Sequence, residues 1–585
     1  MENNLNNQKP VEFFSAERIK IEIDGQQILW RDMNLEINSI IGEHTIGKIK
    51  FMASPNQLSL YDALIDKKGD KTIVVTGRSN VSDEAGNATD KIFLNGVISK
   101  LRIKETKAGA LAVELVCSSK SILLDRIPRY RSFQDPALTY TNIAREVNKN
   151  YNDGETLVNV GEDMKEVPRM TIQYNETDWE YLKRIASYTG QPLMASSNKV
   201  LVGFFKNMPA QTPNLAYSYF GKETEAERTY YRVEGTEVYS VSTPIKLKIR
   251  NRVSGEEVEN DYYVIESRIY NEGNTLKCEY KLGKQTDYFV DPIPHEKIRG
   301  AVIEARTVHI ARTDESKSEH GRAEGSSDNL EGRTIGAKPL NKYIEKFKNE
   351  SQNENVKEKV KTKDIAVMTL DLTEGLMDLG ENGQSFEDKY AGKSYFPYIT
   401  PYSQSNTGFT PAPEVNDRVA LYFPSGNETK AFVIGALNND GNGRFTNPDK
   451  RNFTLGNSQS GANAGKPMYD FTLNSEVFSI SVGSIIDMSS GGSVNISGTS
   501  KVNIDSSGTM DISGTSTVNL KSSGADTNIE GNSEVNMKVS SSKISIDSSS
   551  IGINASDEFT ADADGITIGA GASTVDIKGG EVKIK

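Results

Sequence analysis

The chain has 585 residues, room for about four domains at roughly 150 residues each. Its 68 basic and 80 acidic side chains leave a net charge of -12, which argues against nucleic acid as a partner, because phosphate binding needs a clustered positive excess. Hydrophobic residues are 36%, low for one compact globule, and no run approaches the ~20 apolar residues of a membrane span.

The opening MENNLNNQKPVEFF lacks the basic and apolar regions of a secretory signal, so assembly in the cytoplasm and export by another route are expected. Residues 1–120 read as one β-rich unit, with strand-like runs such as RIKIEIDGQQI, DKTIVVTGRS and ALAVELVCSS. Residues 121–193 form a helical interlude. Thr139 is placed to cap TYTNIAREVNKNY. Thr177 and Glu180 have capping-box spacing before DWEYLKRIASYTG, which Gly190 ends. A second β-rich unit spans 194–310, with IKLKIRNRV, DYYVIESRIY and TLKCEYKLG.

Residues 311–363 are rich in charge, Gly and Ser and read as a linker. It carries a short amphipathic helix, with Leu340, Tyr343, Ile344 and Phe347 on one face. Residues 364–440 alternate short strands (IAVMTLDL, KSYFPYITPYS, DRVALYFP, KAFVIGAL) with turns, the pattern of a small five-stranded barrel. Residues 441–468 are a second short linker.

Residues 469–585 are low in aromatics and dominated by Ser, Gly, Asn, Asp and Thr, yet they keep a period. Apolar residues at i, i+2 recur every eight positions: Phe478/Ile480, Ile486/Met488, Val494/Ile496, Val502/Ile504, Met510/Ile512 and Val518/Leu520. With occasional one-residue slips the series continues through Ile544/Ile546, Ile566/Ile568, Val575/Ile577 and Val582/Ile584. Fixed self-similarity signals a repeat architecture rather than a disordered tail. Residues i and i+2 share one face of a strand. One octad is too short for a full coil of a single-chain β-helix, so the spacing predicts three intertwined chains, each giving one strand per layer, with the apolar pairs on the axis. At about 4.8 Å per stacked strand, some fifteen octads make a stiff rod on the order of 70 Å long. Gly498, Gly508, Gly514 and Gly524 alternate at two offsets, a sixteen-residue sub-period, and are expected to supply corner φ angles.

Chemistry-bearing motifs are scarce. Cys117 and Cys278 sit in strand-like runs and read as buried thiols. The four histidines, His44, His295, His309 and His320, pair with nothing at metal-ligand spacing. There is no nucleophile elbow, Walker loop or HExxH. No catalytic residue, metal or cofactor is expected.

This order of parts resembles the VgrG family of type VI secretion spikes and their relatives in extracellular injection particles and contractile phage tails. Three stretches carry the resemblance: YNETDWEYLKRIASYTGQPL, TPAPEVNDRVALYFPSGNETKAFVIGALNN and the octads. In the second, Pro413, Glu414, Val415 and Asp417 match the turn before an OB-fold strand, and Ile434, Gly435, Leu437 and Asn439 its closing segment. The resemblance implies a mainly β chain: two hub β-barrels with helical inserts, an OB-fold, and a C-terminal trimeric triple-stranded β-helix needle. It further implies a structural role, not an enzymatic one. A homotrimer would join a six-fold tube of Hcp-like protein to a three-fold needle that punctures a membrane. Baseplate proteins, effector cargo and a PAAR-type tip protein are the implied partners, the last docking on Glu581, Val582, Lys583, Ile584 and Lys585. Three features depart from the pattern. The usual Gly-Arg-Val-Arg-Val strand opening the OB-fold is not evident, with MTLDLTEGLMDL in its place. The 441–468 linker is too short for the lysozyme domain that some spikes carry, and no His follows His320 to hold iron at a tip. The sequence ends in KGGEVKIK, still in octad register, so no fused effector domain is expected. A glycan-binding fibre is the alternative for the repeat, although the octads lack aromatic platforms. A β-helical depolymerase would need a paired carboxylate cleft.

Overall fold

The computed structural model describes residues 12–311, 367–377, 394–437, 451–457 and 467–532, apart from short gaps within these stretches, and the single positions 535, 560, 564 and 565. The chain divides into two compact units, Met1–Ser481 and Val482–Lys585.

In chain order the first unit opens with β1 (Phe14–Ile23), β2 (Trp30–Ile40), β3 (Ile46–Ala53), α1 (Leu58–Asp66), β4 (Thr72–Ser82), β5 (Ala88–Glu105) and β6 (Leu111–Ser119). Then come β7 (Arg129–Phe133), α2 (Tyr140–Asn148), β8 (Thr171–Glu176) and α3 (Asp178–Ser187). They are followed by β9 (Tyr219–Glu225), β10 (Arg228–Gly235), β11 (Pro244–Arg250), β12 (Glu257–Glu272), β13 (Thr275–Gly283) and β14 (Val302–Ala311). The unit closes with β15 (Val367–Asp371), α4 (Thr373–Met377), β16 (Tyr395–Pro397), β17 (Arg418–Tyr422), β18 (Phe432–Ala436), β19 (Arg451–Asn457) and β20 (Pro467–Leu473), and β21 (Phe478–Val482) runs to the boundary with the second. The architecture is mainly β, as the sequence predicts.

The two β-rich units are not two separate sheets. Strands run in the circuit β13-β1-β4-β5-β6-β3-β2-β12 and return to β13, every neighbour antiparallel. Ile37 lies opposite Ile269, which lies opposite Cys278 on its other side. The 16-residue β12 makes this possible. Its Glu266–Tyr270 stretch pairs with β2, and its Glu257–Tyr263 stretch pairs with β11. The far end of the β12–β13 hairpin thus carries β11 on one side and β10 and β9 on the other. Alternating side chains of these strands (Ile21, Ile23, Leu35, Ile37, Ile49, Val75 and their neighbours) fill one core.

The helices form where expected. Thr139 accepts from the Asn142 N–H, and Thr177 accepts from the Glu180 N–H while Glu180 reaches back to the Thr177 N–H, so both N-termini are capping boxes. Gly190, at φ +73°, lies just past α3. Helices α2 and α3 pack on a second core with Trp179, Tyr181, Leu182 and Ile185.

The small barrel differs from its expected bounds. Its sheet runs β16-β15-β14-β17-β18, and the Ile399 N–H donates to the Val433 carbonyl (2.8 Å), beside a parallel Tyr398–Val433 bridge that brings the two ends together. This is the cyclic strand order of an OB-fold, with β14 as first strand. The opening strand that the sequence lacked near residue 364 is therefore VIEARTVHIA, which the sequence reading placed at the end of the second hub unit. Ala311 lies opposite Val367, so the charged segment expected to separate two domains instead joins two neighbouring strands of one barrel. The helix expected around Leu340–Phe347 and most of the 441–468 linker lie outside the described residues.

Candidate functional sites: a buried charge junction and an exposed apolar ladder

The helical insert and the small barrel meet around one arginine. Arg184 lies on the face of α3 that also presents Tyr181 and, one turn on, Tyr188. It is 1% exposed. Its guanidinium makes five hydrogen bonds: to Glu176 Oε1 and Oε2 (2.7 Å each), the Ile172 carbonyl (2.7 Å), Glu428 Oε1 (3.1 Å) and the Tyr188 hydroxyl (2.8 Å). Glu428, from the barrel, also accepts from the Ile172 N–H (3.1 Å) and lies 3.0 Å from His295 Nδ1. Burial alone would push the Glu428 carboxyl up, but Arg184 and His295 outweigh it and hold it below its ordinary value. Burial likewise pulls on Arg184, and Glu428 and Glu176 more than offset it. Burial pushes the Tyr188 phenol up to about 12. Met170 and Ile172 beside this junction pack into the barrel core. The arrangement fastens the insert to the barrel with charge satisfied on all sides. Sequence reasoning missed it: the only trace is an arginine on the apolar face of a capped helix.

A second array has the make-up of a nucleophile, base and acid. His44 Nδ1 lies 2.7 Å from Ser121 Oγ, and Nε2 lies 3.2 Å from Asp125 Oδ2. Its ring rests on Trp179 at 4.2 Å. Ser121 is buried, its hydroxyl 2.7 Å from that of Ser119, so it offers no face to a substrate. These groups tie the end of β6 to α3. Among the described residues no His, Cys, Asp and Glu groups could hold a metal ion, and no helix is long and apolar enough to cross a membrane. Cys117 and Cys278 are buried and unbonded to each other, and burial pushes both thiols up to about 12.

In the second unit the octad period is visible in the backbone. The chain bends at 491–492, 499–500, 507–508, 515–516 and 523–525, once every eight residues. Ser490 and Ser506 each accept, through Oγ, from the N–H two residues on (Gly492, Gly508), and Ser522 from the Ala525 N–H, so alternate bends carry a serine-capped turn. The glycines act differently from expectation. None of Gly498, Gly508, Gly514 and Gly524 has the left-handed φ assigned to it. A Cβ on Gly498 would instead meet the Lys501 carbonyl oxygen at 2.7 Å, and one on Gly514 the Thr517 carbonyl oxygen at 3.0 Å. Gly508 and Gly524 face open space. Close approach at every second corner, not φ, sets the sixteen-residue sub-period.

The predicted core residues of this ladder are not buried within one chain. Val494, Val502, Met510 and Val518 are 45–51% exposed, and Ile496, Ile504, Ile512 and Leu520 are 66–69% exposed. The two positions of each octad keep these two levels through four consecutive repeats. Ile544, Ile546, Ile566, Ile568, Val575 and Ile577, and the expected docking residues Glu581–Lys585, lie outside the described residues.

No protein family and no curated protein matches the sequence. Solved structures do. The chain is similar to an E. coli component of the type VI secretion system, itself described as structurally similar to T4 bacteriophage tail proteins. Identity is 12% and the TM-score 0.40, over 72% of this chain and 100% of that one. It is similar to a chain of the Francisella PdpA–VgrG complex in its half-lidded form, at 10% identity and a TM-score of 0.45, over 82% of this chain and 85% of that one. It is also similar to the 43 kDa tail protein of prophage MuSo2 from Shewanella oneidensis, at 12% identity and a TM-score of 0.34, over 47% of this chain and 99% of that one.

Proposed function

We propose that this chain is the hub-and-spike subunit of a contractile injection machine and works as a homotrimer with a mechanical, non-enzymatic role. The observation that carries this reading is the apolar ladder. Eight side chains at Val-x-Ile spacing stand half to two-thirds exposed in the single chain, on a backbone that bends every eight residues. Burying two-thirds of an isoleucine contributes on the order of 1–2 kcal/mol, so one ladder position summed over three chains contributes roughly 3–6 kcal/mol. Only association supplies that burial, and needle and trimer form together. Strands paired between chains also satisfy the backbone groups that one chain leaves open.

In this reading the β-sheet circuit and its β9–β11 extension present two β modules per chain. Three chains then meet a six-fold tube of Hcp-like subunits with pseudo-six-fold symmetry. Baseplate proteins hold the assembly, effector cargo travels with it, and contraction drives the needle out of the cell and through a target membrane. Glu581–Lys585, ending in the apolar Val582 and Ile584, form the platform for a PAAR-type tip protein that covers the last strands. Light scattering on the full chain tests the core of this: the expected mass is three times 64.4 kDa. Binding of a PAAR-type protein to the full chain, lost when Val582 and Ile584 are changed to Ser, tests the docking platform.

A further inference from the structure

The ladder poses a problem of register. Residues 496–500 and 512–516 are both Ile-Ser-Gly-Thr-Ser, and the crowded glycines Gly498 and Gly514 repeat at the same interval. Chains displaced by sixteen residues would match apolar pair with apolar pair and corner with corner, losing only end layers. A self-similar repeat specifies its own register weakly. Something that does not repeat has to set it.

The sheet β19-β20-β21 lies immediately before the octads in the chain and has two unlike faces. Phe453 is opposite Phe471, while Asn452 is opposite Thr472 and Thr454 opposite Asp470. Side chains alternate, so Phe453, Phe471 and Leu473 share one face and Asp470 and Thr472 the other. The Phe478 ring meets Phe471 edge-on at 4.9 Å and joins the apolar face, and Ile480 follows two residues on. All five apolar side chains are 37–58% exposed. A three-stranded sheet needs its hydrophobic face covered to be stable.

We infer that this face is covered by the same face of two further copies, and that the resulting aromatic cluster fixes the register of the octad ladder. The inference rests on the proposed trimer. Continuity of pattern identifies the occupant: Phe478/Ile480 is itself the first apolar pair of the series, eight residues ahead of Ile486/Met488. A ladder with an eight-residue repeat is matched along its length by a partner with the same repeat, which a second copy supplies by symmetry. The apolar series that Val494/Ile496 continues therefore begins, in the sequence, at Phe478/Ile480. Unlike the octads, the aromatic sheet occurs once, so a chain displaced by sixteen residues sets Phe478 level with Val494 and Phe471 level with Asp487 and loses the aromatic cluster.

The test uses full-length protein and disulfide trapping. Equal residues of three chains lie at one level on a three-fold axis, so Val502→Cys chains cross-link to one another in register. Co-expressed Val502→Cys and Val518→Cys chains cross-link together only when displaced by sixteen residues. In the otherwise native chain, the 502–502 product is expected to dominate and the mixed product to be minor. With Phe471→Ser and Phe478→Ser added, the mixed product is expected to rise several-fold, or the mass to fall to that of a monomer while the melting transition of the β-sheet circuit stays in place. Thr472→Ser on the polar face is expected to change neither. A double variant that stays trimeric with an unchanged cross-link pattern overturns the register-setting role and leaves the trimer standing. A native chain that is monomeric overturns the trimer itself.

Discussion

Replacing Arg184 by Met removes the hub of the buried junction while keeping most of the side-chain volume. Five hydrogen bonds are lost, and Glu176 and Glu428, 6% and 4% exposed, remain as two carboxylates without the cation between them. Removing one partner of a buried ion pair costs about 3–5 kcal/mol, a large share of the ~5–15 kcal/mol that holds a folded domain. Arg184→Lys keeps the charge but not the planar fork, and an intermediate loss is expected. Urea unfolding followed by the fluorescence of the buried Trp179 reads the loss, and pH adds a sign. In the native chain Glu428 is held below its ordinary value, so its contribution is present above the carboxylate range and disappears as pH falls through the lowered value. In Arg184→Met the largest opposition to burial is gone, with His295 and the Ile172 N–H still beside Glu428, and that carboxyl rises above its ordinary value, so the folded state takes up a proton before the unfolded chain does. The variant therefore gains stability as pH falls from 8 toward 5, and its deficit against the native chain narrows. A deficit under about 1 kcal/mol, or one constant across that range, would refute this account of the junction.

Other consequences are as direct. Ile504→Asp puts three carboxylates into one layer of the ladder, and light scattering is expected to show loss of the trimer at concentrations where the native chain keeps it. Gly514→Ala, whose Cβ meets the Thr517 carbonyl oxygen at 3.0 Å and a Val518 methyl at 3.3 Å, is expected to lower the melting temperature of the assembled ladder. Gly508→Ala, with nothing within 4 Å, is expected to leave it unchanged or raise it, by about 0.4–1 kcal/mol per chain through the unfolded state. Thr177→Ala removes a capping box and is expected to cost ~1 kcal/mol in the same urea assay. Cys117 and Cys278, buried with thiols pushed up to about 12, are expected to resist alkylation at pH 8 until denaturant is added, as mass spectrometry would show.

What could be read from the sequence was local or periodic. Thr139, Thr177, Glu180 and Gly190 act within one helical turn of their partners, and the octads repeat often enough to reveal eight-residue bends before any coordinates. The small barrel was found but its first strand was not, because Val302–Ala311 is separated from its neighbour Val367–Asp371 by a long charged segment and continues directly from the hub strands. The merging of two β units into one circuit was hidden for a related reason. β12 reads as one strand, and nothing in its composition says that one end pairs with β2 and the other with β11. The Arg184–Glu428 contact joins residues 244 positions apart, and its partners carry no motif. The corner glycines show how a correct pattern can carry the wrong cause: the sixteen-residue alternation was legible, but a carbonyl crowding Gly498 and Gly514, not a left-handed φ, produces it.

The central claim is that three copies bury the octad ladder between them, and the mass of the full-length protein tests it most directly. Light scattering across a dilution series is expected to give a trimer of a 64.4 kDa chain that Ile504→Asp dissociates. A monomer at every concentration, with the ladder still exposed to solvent, would contradict the trimeric needle and the mechanical role built on it.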